Sequence, residues 1–109
     1  GQVFMVTGAP GGRTIINTVL LTILNVVDFG LGAQAAVDAR RFHHQWLPDQ
    51  ILMETDALSP DVQTALKSMG HRLAFRKDRQ GVAQVIIVRP HGLEGGADTR
   101  WPESAAAGY

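Results

Sequence analysis

The stretch Val3-Phe4-Met5-Val6-Thr7-Gly8-Ala9-Pro10-Gly11-Gly12-Arg13-Thr14-Ile15-Ile16 runs from an apolar segment through a glycine-rich turn directly into an apolar helix. That order aims unpaired backbone amides at whatever sits above the turn, a geometry suited to a phosphate or an oxyanion. A P-loop needs a Gly-Lys-Ser/Thr triplet beginning at position 13 when counted from Gly8. Arg13-Thr14-Ile15 stands there instead. The dinucleotide pattern G-x-G-x-x-G fails as well, because Ala9 and Pro10 separate Gly8 from Gly11. The plainest reading is a turn that uses glycine only for backbone freedom. The adjacent pair Gly11-Gly12 at the helix mouth argues for more. Two residues without Cβ let another group approach the backbone, and their N–H groups lie at the positive end of a helix.

Working outward, Gln2 to Thr7 is predicted as a strand. Its apolar residues do not alternate, so both faces are expected to be covered, with two neighbouring strands, one of them expected to lie outside this chain. A helix follows from about Gly12 to Phe29. Its polar stripe (Thr14, Asn17, Thr18, Thr22, Asn25, Asp28) faces a neighbouring layer or solvent, opposite a wide apolar face. A shorter helix is expected over Ala33 to Ala39, irregular chain over Arg41 to Asp49, and a short strand over Gln50 to Glu54. Ser59 caps the next helix, with Pro60 in its first turn and Val62, Leu66 and Met69 as its buried stripe. Arg72 to Phe75 is a candidate strand. Val82 to Arg89 is a strong one, joined by a turn at Pro90-His91-Gly92 to a weaker strand over Leu93 to Ala97. Strands mixed with helices give an α/β or α+β fold with helices packed on a sheet.

The 109 residues amount to a single domain or a piece of a larger one. Ten basic and ten acidic side chains balance, which excludes the broad basic field that nucleic acid or anionic lipid requires. The absence of cysteine removes disulfides, thiolate metal sites and a cysteine nucleophile. The apolar run Ile15 to Phe29 is too short and too interrupted for a membrane span. His43 and His44 are adjacent, so their side chains diverge, and no third ligand follows in a metal-binding pattern. They are expected to pack and hydrogen-bond with Gln45 and Trp46. Asp98 and Arg100 are expected to form a surface or structural ion pair. Asp56, Asp61, Glu94 and Glu103 show no paired-carboxylate pattern.

Thr7-Gly8-Ala9-Pro10-Gly11-Gly12 followed by Ile15 resembles the Gly-Ser-Pro-Gly-Gly segment of gamma-glutamyltranspeptidases. Ala39-Arg40-Arg41-Phe42-His43-His44-Gln45-Trp46-Leu47-Pro48-Asp49 is similar to that family's Ala-Pro-Arg-Phe-His-His-Gln-Trp-Leu-Pro-Asp run, and Gly108-Tyr109 to its C-terminus. The resemblance covers essentially the whole chain and places it in the C-terminal part of the small subunit. It implies an α+β fold that is part of a four-layer αββα sandwich of the N-terminal-nucleophile hydrolase type. It also implies a self-cleaving precursor whose exposed threonine attacks the gamma-glutamyl amide of glutathione or a related compound, and a periplasmic or secreted location. The matching oxyanion-hole positions are Gly11 and Gly12. No cofactor is implied. The expected partners are the gamma-glutamyl substrate, the remainder of the small subunit and the large subunit.

A threonine nucleophile of this kind uses its own terminal amine as base. Residue 1 is Gly1, and Thr7, Thr14 and Thr18 are internal, so this polypeptide alone is expected to be inactive. The first strand is expected to find a partner, through self-association or another chain. Five positions in four places depart from the family pattern: Ala9 for serine, Arg13-Thr14 for Ser-Arg, Arg40 for proline and Thr99 for proline. The second shifts a cation beside the proposed hole; the other departures are expected to leave the amides intact or to be structural. Two alternatives stand beside this reading: a non-catalytic binding or assembly domain with the same fold, and a related amidase such as a cephalosporin acylase.

Overall fold

The computed structural model describes residues 1–108, so the Tyr109 half of the C-terminal match lies outside the described residues. The described chain forms two compact units. The first combines Gly1–Ala39 with the chain from Gly81 onward, and the second is Arg40–Gln80.

In the first unit, β1 (Met5–Gly8) leads through a single 3₁₀ turn (Gly12–Thr14) into α1 (Ile15–Val27), followed by α2 (Ala33–Asp38). The last two strands, β5 (Gln84–Arg89) and β6 (Gly92–Ala97), form a hairpin, as the sequence predicts. The sheet order is β1-β5-β6, antiparallel throughout, with Met5 opposite Ile87 and Val85 opposite Gly96. Helices α1 and α2 cover one face. The core beneath them is Val26, Ala33, Ala36, Val37, Ala83, Val85 and Ile87, with Met5, Ala9 and Leu31 packed against it.

Small residues set how closely the layers approach. A Cβ on Gly96 would collide with the Ala33 carbonyl, so α2 can lie directly on β6 only because that position is glycine. The threonine stripe of α1 faces this layer. Thr14, Thr18 and Thr22 are buried, and Thr22 Oγ1 donates to the Thr18 carbonyl at 2.9 Å, so the hydroxyl is satisfied within its own helix. The opposite, apolar side of α1 is largely open, with Ile16 76% and Val27 58% exposed.

The single neighbour of β1 agrees with the expectation of an unpaired first strand, whereas the expectation of two covered faces is not met within the described residues. Among the described residues β1 is an edge strand with one neighbour, and Val6 on its outer side is 59% exposed. The unbroken apolar run signals two covered faces, but only one face meets a helix layer within the described residues. Ile86, Val88 and Leu93 continue the same open apolar face.

In the second unit, β2 (Phe42–His43) pairs antiparallel with β3 (Ile51–Met53), which pairs parallel with β4 (Leu73–Phe75). Helix α3 (Pro60–Ser68) connects β3 to β4. Ser59 caps it by accepting the Val62 amide at 3.4 Å, and Gly70 ends the segment in a left-handed conformation at φ 94°. The expected buried stripe is not observed: α3 has no buried residue, and Met69 is 72% exposed. Its periodicity is real, but no layer within the described residues covers it. Among the described residues, no helix is long and apolar enough to cross a membrane.

Candidate functional site

The glycine turn is built by backbone conformations that only glycine adopts readily. Gly11 has φ 143° and Gly12 has φ 55°. The Gly11 carbonyl is held twice, by the Thr14 amide at 3.1 Å and the Thr14 hydroxyl at 2.9 Å. The Ile15 amide donates to the Gly12 carbonyl and carries the chain into α1. Neither the Gly11 nor the Gly12 N–H meets an acceptor among the described residues, and both residues are exposed. Among the described residues no side chain caps the 3₁₀ turn or α1, and neither has an acidic residue in its first turn. The positive end of the helix is therefore not neutralised locally. Arg13, exposed beside it, adds a full positive charge.

The turn is backed by Gly81. A Cβ there would lie 2.8 Å from Thr18 Oγ1 and 3.3 Å from the Pro10 carbonyl oxygen, and Gly81 itself has φ 62°. Thr18 Oγ1 is buried without a hydrogen-bond partner, so packing rather than hydrogen bonding fixes this contact. No sequence signal singles out Gly81, which is far from the turn along the chain.

A cavity of about 650 Å³ lies elsewhere in this unit. Val6, Ile86, Leu93 and the tail Ala105–Gly108 are among its lining, and Gly11 and Gly12 are not. It is part of the open apolar sheet face, and none of its lining side chains is ionisable.

The remaining sequence candidates are placed as follows. Thr7 Oγ1 donates to the Gln84 carbonyl across the sheet at 2.8 Å, a structural bond. His43 Nε2 bonds Gln45 Oε1 at 2.8 Å, and His44 Nε2 bonds Asp49 Oδ1 at 3.1 Å. The two rings take separate partners. Among the described residues, no group of three or more His, Cys, Asp or Glu could hold a metal ion.

Asp98 and Arg100 do pair, at 3.1 Å, and both are buried. Asp98 also accepts the Ala83 amide at 2.7 Å, while Arg100 donates to the Val37 and Ala39 carbonyls. Thr99, where the family pattern has proline, donates both its amide and its hydroxyl to Asp38. Proline could supply neither bond. Partial burial pushes the Asp38 carboxyl up. The bonds from Gln34 and Thr99, with the charge of Arg100, outweigh it and hold the group below its ordinary value. The Glu94 carboxyl is also lowered, chiefly by the Ala33 amide at 2.6 Å and then by Arg89.

In the second unit the sequence gives no warning of a buried polar cluster. Glu54 accepts the Arg41 and Gln80 amides at 2.9 and 2.8 Å, and Arg41 Nη1 donates to the Gln80 carbonyl at 2.7 Å. These residues are far apart in the chain, and nothing in their spacing predicts the convergence.

Over its described length the chain is similar to known proteins. The family model for gamma-glutamyltranspeptidase matches residues 1–108. The glutathione hydrolase proenzyme of Escherichia coli is 44% identical over 110 residues, covering 100% of this chain and 19% of that protein. The chain thus spans about a fifth of that curated relative's length. A mutant of Helicobacter pylori gamma-glutamyltranspeptidase superposes with a TM-score of 0.85 at 38% identity, over 92% of this chain and 55% of that one. A cephalosporin acylase from Bacillus halodurans superposes with a TM-score of 0.79 at 30% identity, over 94% of this chain and 20% of that one. The α+β fold is therefore the one these solved enzymes share over this segment. The chain belongs to the gamma-glutamyltranspeptidase family.

Proposed function

We propose that this chain is the C-terminal part of the small subunit of a gamma-glutamyltransferase or glutathione hydrolase, and that Gly11 and Gly12 form its oxyanion hole. One observation carries the reading. Two adjacent exposed amides meet no acceptor among the described residues, sit at an uncapped helix mouth, and are held in conformations that glycine permits.

The chemistry requires such a pair. A threonine hydroxyl outside these 109 residues attacks the gamma-glutamyl amide carbonyl. The new C–O bond forms as the carbonyl electron pair moves onto oxygen. Fixed N–H donors stabilise that charge without reorganising, and losing one donor of this type costs about 10²–10³ in kcat. Collapse expels the amine, which takes up a proton, and leaves a gamma-glutamyl ester. Water or an acceptor amine then releases the acyl group.

The open apolar face around Val6, Ile86 and Leu93 suits burial by the rest of the small subunit or by the large subunit. A periplasmic or secreted location belongs to the same reading and rests on the resemblance. A cephalosporin acylase-type amidase is the second reading, favoured by the likeness to the Bacillus halodurans enzyme.

The test joins this segment to the upstream polypeptide that its relatives carry and assays self-cleavage and release of p-nitroaniline from gamma-glutamyl-p-nitroanilide. Cleavage and turnover are expected from the joined protein and neither from the 109-residue polypeptide. Turnover of a cephalosporin side-chain amide with none of the gamma-glutamyl anilide would favour the second reading. Turnover by the short polypeptide would contradict the first.

A further inference from the structure

We infer that the Thr14 hydroxyl is a positioning group for the Gly12 N–H, an inference that rests on the oxyanion reading and assigns a further residue to that site. The Gly11 carbonyl and the Gly12 N–H belong to one planar trans peptide and point in opposite directions. Whatever fixes the carbonyl therefore aims the N–H. Thr14 fixes it with two donors, its amide at 3.1 Å and its Oγ1 at 2.9 Å. The amide bond alone leaves a glycine peptide with conformational freedom on both sides, at φ 143° and φ 55°. The second bond restricts rotation of that plane.

The same bonds polarise the peptide. A carbonyl that accepts two hydrogen bonds makes its own N–H a stronger donor. Thr14 is only 6% exposed, so its side chain is held by the surrounding packing and not by water. Gly11 is fitted to this arrangement: a Cβ there would lie 2.8 Å from Thr14 Oγ1 and would displace the hydroxyl. The family pattern has arginine at this position, so the hydroxyl clamp is a property of this chain's Arg13-Thr14 pair.

The experiment uses the full self-processed protein and measures kcat and KM for gamma-glutamyl-p-nitroanilide hydrolysis. Thr14→Val keeps the shape and removes the hydroxyl, Thr14→Ser keeps the hydroxyl, and Thr14→Ala serves if the valine variant does not fold. A separate variant carries a backbone ester in place of the Gly11–Gly12 amide, which deletes the Gly12 N–H and also weakens the Gly11 carbonyl as an acceptor; the Thr14 variants isolate that second effect. Thr14→Val (or Ala) is expected to lower kcat about five- to tenfold with KM within about twofold, and Thr14→Ser to restore kcat to within about twofold. The ester is expected to lower kcat by about 10²–10³. If the ester lowers kcat while Thr14→Val and Thr14→Ala do not, the positioning role is overturned and the oxyanion reading stands. The role is also overturned if serine fails to rescue, or if the effect falls on KM. If the ester leaves kcat unchanged, the oxyanion reading falls and the role of Thr14 falls with it.

Discussion

Replacing Asp98 with alanine should remove a large share of the stability of the first unit. Asp98 is completely buried and Arg100 is 4% exposed at the side chain, so their 3.1 Å pair is not screened by solvent. The substitution removes the carboxylate paired with the buried Arg100 guanidinium, whose charge then has Asp38 nearby, and it takes the 2.7 Å acceptor from the buried Ala83 amide. Breaking a buried pair from one side costs about 3–5 kcal/mol, and an orphaned buried amide about 1–3 kcal/mol. The two losses share one cluster and do not add fully. Arg100 also keeps the Val37 and Ala39 carbonyls as acceptors. The expected cost is therefore about 3–5 kcal/mol, against a total of about 5–15 kcal/mol for a typical protein. Asp98→Asn keeps an acceptor oxygen and should cost less. Urea unfolding followed by circular dichroism gives the difference as a shift in midpoint at unchanged slope. A change below about 1 kcal/mol for Asp98→Ala would refute the reasoning, because that is the range of an exposed ion pair.

Acid should destabilise the first unit through Asp38 and Glu94. Both carboxyls are lowered on folding, from ordinary values of 3.8 and 4.5. The folded state therefore binds protons less readily than the unfolded state, and stability falls as pH falls. The contribution is complete above those ordinary values and is lost as pH drops through the lower folded ones. Thermal melts between pH 6 and pH 2 should show the decline, and Thr99→Pro, which removes the two Thr99 donors and leaves the Gln34 donor to Asp38, should flatten part of it. The isolated chain should also self-associate through its open sheet face. Val6→Asp with Ile86→Asp should shift it toward monomer in light scattering, and a parent that stays monomeric at high concentration would count against an adhesive face.

The first strand, the glycine turn and the helix behind it are legible because each leaves a local mark: an unbroken apolar run, paired glycines, and a 3.6-residue repeat. The β5–β6 hairpin is legible for the same reason, from β-branched residues on either side of Pro90-His91-Gly92. What covers each face is not local. Val6 and Met69 carry the pattern of buried positions yet are exposed, because no layer within the described residues meets them. Thr22 of α1 is polar by composition yet buried, because the helix backbone satisfies its hydroxyl, while Thr18 is buried by packing against Gly81. At the site, Gly11 and Gly12 are visible as a pair, and the family resemblance gives them a role. The twofold grip of Thr14 and the support from Gly81 depend on backbone angles and on a chain reversal some seventy residues away, which no spacing encodes.

Trapping the full processed protein as its gamma-glutamyl ester and solving that structure by crystallography tests whether Gly11 and Gly12 form the oxyanion hole. The ester carbonyl oxygen is expected within about 2.7–3.1 Å of the Gly11 and Gly12 nitrogens. A carbonyl oxygen turned away from both nitrogens, or held by other donors, would contradict that role.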